Sequence, residues 1–386
     1  MDDISREKVK DVIYRECIKG KSIQAVPTPY PLCRDIISQV NNHINLSNTN
    51  VKILVMFTIE FVYLLVEEMG FDPCNITFIS DSKMRNILAG KFGVNCELIK
   101  IQDIKEGKYV MPDQFDLIFG NPPYQKDNDT NNKNEPIWPD FVKLAIKYCK
   151  ENGFICLIHP SSWRKPDHPL WNILINKNIK YLEIHNGKDG NKNFKKSTRY
   201  DWYVIQNCLS NGESEILDEE GNTYFLNLKS VPFLANCAFD KINTIITLDK
   251  KETLDILYNT TYHAQHQHIA DEYDDTYQYP CVFKINSKNI GLKFSSKNNL
   301  GHFGISKVIV NLGRYPYAFN DFEGKYGMCQ NTCGIIVKLK EQADNICQAL
   351  NSEKFKEILI ATKWSTFQID YKMFQYFKKD FWREFV

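Results

Sequence analysis

The first half of the chain alternates between short apolar runs and helical stretches, and that rhythm limits the fold more than any other feature. The runs are Val51–Phe57, Asn75–Ser82, Leu98–Asp103, Phe115–Phe119, Gly153–Pro160, Ile179–His185 and Trp202–Gln206. The fourth is rich in apolar β-branched and aromatic residues and stopped by Gly and Pro, the signature of a buried strand, and the others read as strands beside it. Between them the apolar spacing changes to that of helices. Thr58 to Met69 is stopped by Gly70, a residue suited to a helix C-terminus. Ile137 to Cys149 places Trp138, Phe141, Leu144, Ala145 and Tyr148 on one face, as an amphipathic helix does. Strands alternating with helices predict an α/β fold with a parallel sheet.

The ends of these strands carry the candidate chemistry. The fourth runs into Gly120-Asn121-Pro122-Pro123-Tyr124. Two prolines fix φ and remove two backbone donors, which predicts a stiff, exposed tip at the carboxyl end of a strand. Ligands of open α/β sheets sit there. An exocyclic amine carries two N–H donors. The Asn121 side-chain oxygen and the Pro122 carbonyl are two acceptors, and Tyr124 can stack on the ring that bears the amine. A rigid tip loses little entropy on binding. The plainer alternative is a Pro-rich turn. Asp81 and Asp103 close the second and third runs. The first suits ribose hydroxyls, the role of an acid in dinucleotide folds, and the second an adenine amine; acids also cap helices and mark turns. The first run leads into Met56-Phe57-Thr58-Ile59-Glu60-Phe61 without a glycine, where a turn approaching a cofactor would carry one. Glu60 suits an ammonium group, or simply the dipole at a helix start.

Net charge is only +1, so a nucleic-acid footprint must be local. Asn186 to Tyr200 supplies one: Lys188, Lys192, Lys195, Lys196 and Arg199 against Asp189, around Phe194. A basic loop with one aromatic suits a phosphate backbone and an extruded base, or is a solvated loop whose Phe packs down. The polar run Gln125 to Glu135 reads as a lid over the tip. Met1 to Ile23 reads as a helix, and Thr28-Pro29 precedes a second, with Ile36, Ile37 and Val40 periodic. The start Met1-Asp2-Asp3 is acidic with no apolar segment behind it, and Ile53–Val66 is short and holds Glu60. Neither a leader nor a membrane span is expected. The twelve cysteines include no Cys-x-x-Cys pair, which favours reduced thiols and a cytoplasmic location. His263, His266 and His268 lack a cysteine pair beside them, and no metal is expected. Periodicity fades from Leu209 to about Lys251. Strands at Ile305–Asn311 and Gly334–Lys338 follow, with a helix over Glu353–Ala361 capped by Ser352. The expected division is 1–210, a boundary segment 211–250, and 251–386.

The tetrapeptide Asn121-Pro122-Pro123-Tyr124 after an apolar strand resembles the catalytic motif of S-adenosylmethionine-dependent amino-methyltransferases, above all the adenine-N6 DNA methyltransferases of the TaqI type. The resemblance implies a Rossmann-like, mostly parallel seven-stranded methyltransferase sheet with a C-terminal α+β target-recognition domain. The cofactor would be S-adenosyl-L-methionine. Thr28-Pro29 matches a pair that covers its methionine end, and Asp81 and Asp103 lie at its nucleoside; Glu60 is a candidate for its ammonium where the first loop departs from the pattern. Asn121 to Tyr124 would grip a flipped adenine, with Phe194 on its other face and Lys195, Lys196 and Arg199 nearby. Ser161-Ser162-Trp163-Arg164 is similar to a Ser-x-Trp segment at this point, whereas His159 reads as a strand-end residue. The second half resembles the recognition domain loosely, and Arg314, Lys325 and Gln330 are base-edge candidates by their chemistry. The partners implied are double-stranded DNA and a possible cognate restriction endonuclease, in a restriction-modification or orphan modification role. The glycine-free first loop departs from the pattern. Protein glutamine-N5 methylation, a non-catalytic DNA-binding subunit and RNA adenine methylation remain as alternatives.

Overall fold

The computed structural model describes residues 27–46, 50–125, 135–287, 289–313, 317–365 and 368–386. The expected helix over Met1–Ile23, loop residues 126–134 and Arg314 lie outside these. The chain forms two compact units, Met1–Ser161 with Asn172–Asn227, and Ser162–Trp171 with Leu228–Val386.

The first unit is built on a nine-stranded, mostly parallel sheet. Its strands are β1 (Ile53–Met56), β2 (Ile76–Ser80), β3 (Asn95–Leu98), β4 (Phe115–Gly120), β5 (Cys149–Pro160), β6 (Lys177–His185), β7 (Tyr200–Leu209), β8 (Ser214–Leu217) and β9 (Thr223–Leu226). They lie in the order β3-β2-β1-β4-β5-β7-β6-β8-β9. The pairs from β3 to β5 are parallel, and β7 is inserted antiparallel between β5 and β6. The first seven strands make the expected Rossmann-like sheet. The hairpin β8–β9 extends it and occupies part of the segment where periodicity fades. The connections are α1 (Tyr30–Asn41), α2 (Ile59–Tyr63), α3 (Lys83–Gly90), α4 (Ile101–Lys105), α5 (Trp138–Tyr148) and α6 (Gly187–Phe194). Helix α2 continues as a π-turn over Leu64–Glu68. The apolar faces of α1 and α2 meet the sheet in one core with Val55, Phe78 and Phe119. No helix among the described residues is long and apolar enough to cross a membrane.

Two elements differ from expectation. The third strand is Asn95–Leu98 and not Leu98–Asp103, which turns into α4. It is an edge strand paired only with β2 and largely solvated, so its sequence need not be apolar. The first part of the basic segment after β6 is a helix, Gly187–Phe194, and only Lys195 to Arg199 form a loop. Asn186 accepts from the Lys188 and Asp189 amides at 2.8 and 3.1 Å, and Asp189 accepts from Asn186 N at 3.2 Å. That reciprocal cap closes the helix start.

The second unit carries two four-stranded sheets. β10 (Ile256–Leu257), β17 (Thr332–Ile336), β14 (Lys307–Asn311) and β15 (Ala318–Asp321) form the first, and β11 (Ile269–Ala270), β13 (Ile290–Ser295), β12 (Tyr279–Ile285) and β16 (Gly327–Met328) the second. Val282, Ile285, Ile309 and Met328 form an apolar cluster. Ser352 caps the helix Glu353–Ala361, its hydroxyl accepting from Phe355 N at 3.2 Å.

Candidate active site

The sheet reverses its direction of growth at β1, which pairs β2 on one side and β4 on the other. In open α/β sheets ligands sit at such a switch point, beyond the carboxyl ends of the strands. β4 reaches it through Gly120, where a Cβ would stand 2.8 Å from Met56 Cβ and 2.9 Å from Met56 O. Only glycine allows that approach. Asn121 follows. Its amide N donates to Thr58 Oγ1 at 3.0 Å and to Met56 O at 3.3 Å. The Thr58 hydroxyl in turn donates to Met56 O at 3.4 Å, so Thr58 ties the end of β4 to the end of β1. The Asn121 side chain donates through Nδ2 to Thr28 Oγ1 at 3.2 Å. Thr28 enters through α1, whose N-terminal cap is Pro29.

Thr28, Thr58, Glu60 and Asn121 are all buried. Pro122 and Pro123 are buried as well, and Tyr124 is half-buried. The exposed tip expected from the prolines is therefore corrected: the two threonine hydroxyls hold Asn121 inward and cover it. Neither Asn121 Oδ1 nor the Pro122 carbonyl receives a hydrogen bond from a described residue. Burial, with Tyr200 and the Asp201 carboxylate beside it, pushes the Tyr124 phenol up, so it stays protonated. Behind Tyr124 the chain is anchored by a bridge between Gln125 and Pro136 and by Ile137 N donating to Tyr124 O at 3.1 Å.

The turn after β1 replaces the missing glycines with side chains. Phe57 adopts φ 66°, a conformation that costs a bulky residue about 1–3 kcal/mol. It is held by Phe57 N donating to Ile79 O at 2.9 Å and by Arg85 Nη1 donating to Phe57 O at 3.4 Å. The Phe57 ring is buried edge-on to Phe141, with centroids 5.1 Å apart. Glu60 begins α2. Burial pushes its carboxyl up to about 7, against the pull of its own amide, the Arg85 guanidinium and the Thr28 amide. Thr58, Phe57 and Arg85 escape a reading of motifs; the one sequence signal for Thr58 is a hydroxyl residue directly before a helix.

Asp81 directly follows β2 and is half-buried. Asp103 lies in the first turn of α4, half-buried, its carbonyl accepting from Lys108 N and Tyr109 N at 2.8 and 3.1 Å. The structure thus brings Thr28, Glu60 and Asn121 together and puts the two acids after neighbouring strands. His159 is the penultimate residue of β5, stacked on Trp138 with centroids 4.6 Å apart.

The basic segment is sorted differently from the sequence reading. Phe194 does not face outward: it is 8% exposed and packs edge-on against Tyr200 at 4.9 Å. The helix causes this, because Gly190 and Phe194 fall on its one buried face. Gly190 is required there, since a Cβ would meet Thr198 O at 2.1 Å. Arg199 is paired with the Glu219 carboxylate. Lys188, Lys192, Lys195 and Lys196 remain exposed. In the second unit Lys325 pairs with Glu323, and Gln330 Oε1 accepts from Ala264 N at 3.0 Å. Trp163 and Arg164 are buried there, with Arg164 Nη2 donating to Asn236 Oδ1 at 2.9 Å. His266 and His268 both point a ring nitrogen at Thr261 O, at 3.2 and 2.9 Å. Among the described residues no group of three or more His, Cys, Asp or Glu side chains is placed to hold a metal.

Residues 75–197 match the family model described as Eco57I restriction-modification methylase. No curated protein matches the chain. Among solved structures the chain is similar to the DrdV–DNA complex, with 10% identity and a TM-score of 0.49 over 94% of this chain and 55% of that one. The type IIG restriction endonuclease BpuSI is similar at 10% identity and a TM-score of 0.46, over 97% of this chain and 62% of that one. A putative class I S-adenosylmethionine-dependent methyltransferase from Listeria monocytogenes is similar at 10% identity and a TM-score of 0.41, over 53% of this chain and 68% of that one. The chain spans half the length of a type I modification subunit from Vibrio vulnificus YJ016 that it also resembles, covering 50% of it.

Proposed function

We propose that the chain transfers a methyl group from S-adenosyl-L-methionine to the N6 amine of an adenine flipped out of double-stranded DNA, in a restriction-modification or orphan modification role. One observation carries this reading: at the end of β4, neither Asn121 Oδ1 nor the Pro122 carbonyl receives a hydrogen bond from any described residue. The match to restriction-modification methylases supports it, because residues 75–197 include Asp81, Asp103 and the Asn121–Tyr124 tip.

The donor set fits the cofactor. Asp81 and Asp103 are acceptors for ribose hydroxyls and an adenine amine. Glu60, a buried carboxyl whose ionised form lacks enough compensation, gains a partner from an ammonium group. Thr28-Pro29 would cover the methionine end. When bound, the cofactor would supply an electrophilic methyl on a sulfonium, its carbon–sulfur bond breaking as the nitrogen–carbon bond forms and the neutral thioether leaving. The amine of adenine is a poor nucleophile because its lone pair is delocalised into the ring. Its two N–H groups donate to Asn121 Oδ1 and Pro122 O, which favours the tetrahedral nitrogen of the transition state over the planar ground state. Holding both reactants in line supplies much of the remaining rate. The methylated amine is cationic and gives its proton to water, so no strong base is needed. Tyr124 stacks on the extruded ring. Lys188, Lys192, Lys195 and Lys196 meet phosphates, and the second unit, with Lys325 and Gln330, reads the target.

The test is transfer of labelled methyl onto unmethylated genomic DNA, with N6-methyladenine identified after digestion. Asn121→Ala abolishes it with the fold intact. Label on a protein glutamine in place of DNA sinks the reading in favour of the N5 alternative. The buried Phe57 ring, where a glycine turn is expected, favours a second reading, a non-catalytic DNA-binding subunit. Calorimetry separates the two: DNA binding without any heat from S-adenosylmethionine supports the second, and cofactor heat lost in Asp81→Ala supports the first.

A further inference from the structure

We infer that Thr28 is a positioning residue for the transfer step: its hydroxyl fixes the face of the Asn121 amide that meets the target amine. This rests on the proposed reaction and adds a role that cofactor contact does not require. A carboxamide is nearly symmetric in shape, and a half-turn exchanges its acceptor for its donors. The target amine brings two N–H groups. It bonds to the amide oxygen and is repelled by the amide NH2. Something must therefore hold NH2 on the other side while the amine sits on Oδ1.

The backbone does not do so. Thr58 Oγ1 accepts from Asn121 N at 3.0 Å, which places Cα but leaves the side-chain torsion open. Nδ2 has a single acceptor among the described residues, Thr28 Oγ1 at 3.2 Å. Asn121 is 7% and Thr28 2% exposed, so bulk water is a poor substitute. A threonine hydroxyl can donate or accept. With an amine on Oδ1 it must accept. Without it, the productive amide has a buried donor with no partner, and the loss falls on the reacting complex.

The experiment uses the full chain, labelled cofactor and unmethylated genomic DNA. Thr28→Val keeps the shape and removes the hydroxyl; Thr28→Ser returns it. An unsatisfied buried donor predicts that Thr28→Val lowers kcat roughly ten- to hundred-fold, with KM for the cofactor unchanged, and that Thr28→Ser restores turnover. Thermal unfolding confirms that both variants are folded. A raised cofactor KM with intact kcat overturns the inference and leaves Thr28 as a cofactor contact. Equal loss in the valine and serine variants overturns it in favour of methyl packing. A wild-type chain that transfers no label to DNA fails the proposed reaction itself, a result distinct from either.

Discussion

Glu60 makes the first unit's stability depend on pH, and Glu60→Gln should remove that dependence. The carboxyl is 4% exposed, and burial raises it from 4.5 to about 7. A group raised in the folded state binds its proton more tightly there than in the unfolded chain. Its contribution is complete below pH 4.5, falls as pH rises through 7, and is gone above about 8. A shift of about 2.5 pH units corresponds to about 3 kcal/mol. Little solvent screening applies at this burial, so the figure stands without a large discount. Glutamine has the same shape and keeps an oxygen for the Thr28 and Glu60 amides, but it never ionises. Hydrogen exchange of the peptide over β1 and α2, read at several pH values between 5 and 8.5 and corrected for intrinsic rates, reports the local free energy. The wild type should lose about 2.5 kcal/mol of protection across that range, part of the loss having occurred below pH 5, and Glu60→Gln much less, leaving the variant more stable at pH 8.5. Parallel profiles for the two proteins would refute the desolvation argument.

Cofactor affinity should follow the opposite course, since an ammonium partner needs the ionised carboxylate: binding by calorimetry tightens as pH passes 7 in the wild type and stays weak and flat in Glu60→Gln. Gly120→Ala should destabilise the first unit by about 1–3 kcal/mol and abolish transfer, because the added carbon meets Met56 at 2.8 Å and displaces Asn121; thermal unfolding and the label assay check it. Replacing Lys188, Lys192, Lys195 and Lys196 with glutamine should flatten the dependence of log affinity on log salt by about 0.9 for each phosphate that these lysines neutralise, and an unchanged slope in a fluorescence titration removes α6 and the two lysines that follow it from the DNA surface. Lys307→Met should cost about 3–5 kcal/mol in denaturant unfolding of the second unit, because it removes the cation 2.7 Å from the equally buried Asp321 and leaves that carboxylate only the Lys325 and Tyr326 amides among the described residues.

The strands of the sheet's interior were legible because burial on both faces demands apolar runs, and β1, β2, β4, β5, β6 and β7 all lie within or around such runs. β3 was not, because an edge strand can be as polar as Asn95-Cys96-Glu97 and still pair. The π-turn after α2 has no sequence signature of its own. For α6 the information was present but outweighed: Asn186 and Asp189 stand at the spacing of a capping box, while Gly187 and Gly190 argue against a helix. Once the segment is helical, Gly190 and Phe194 are four apart and share a face, and the inward course of Phe194 follows from the spacing alone. The candidate site divides in the same way. Thr28, Glu60, Asn121 and the two acids carry chemistry in their side chains and can be picked out by position along the strands. Thr58 and Arg85 act through backbone atoms 63 and 28 residues away, a relation that no local pattern contains. Phe57 shows why the departure in the first turn matters: with Phe57 O held by Arg85, a glycine there would relieve the strained φ but empty the space that the ring fills against Phe141. Whatever binds at this turn therefore meets a side chain and a buried acid in place of bare backbone, and the pH dependence of Glu60 is the property by which that contact can be measured.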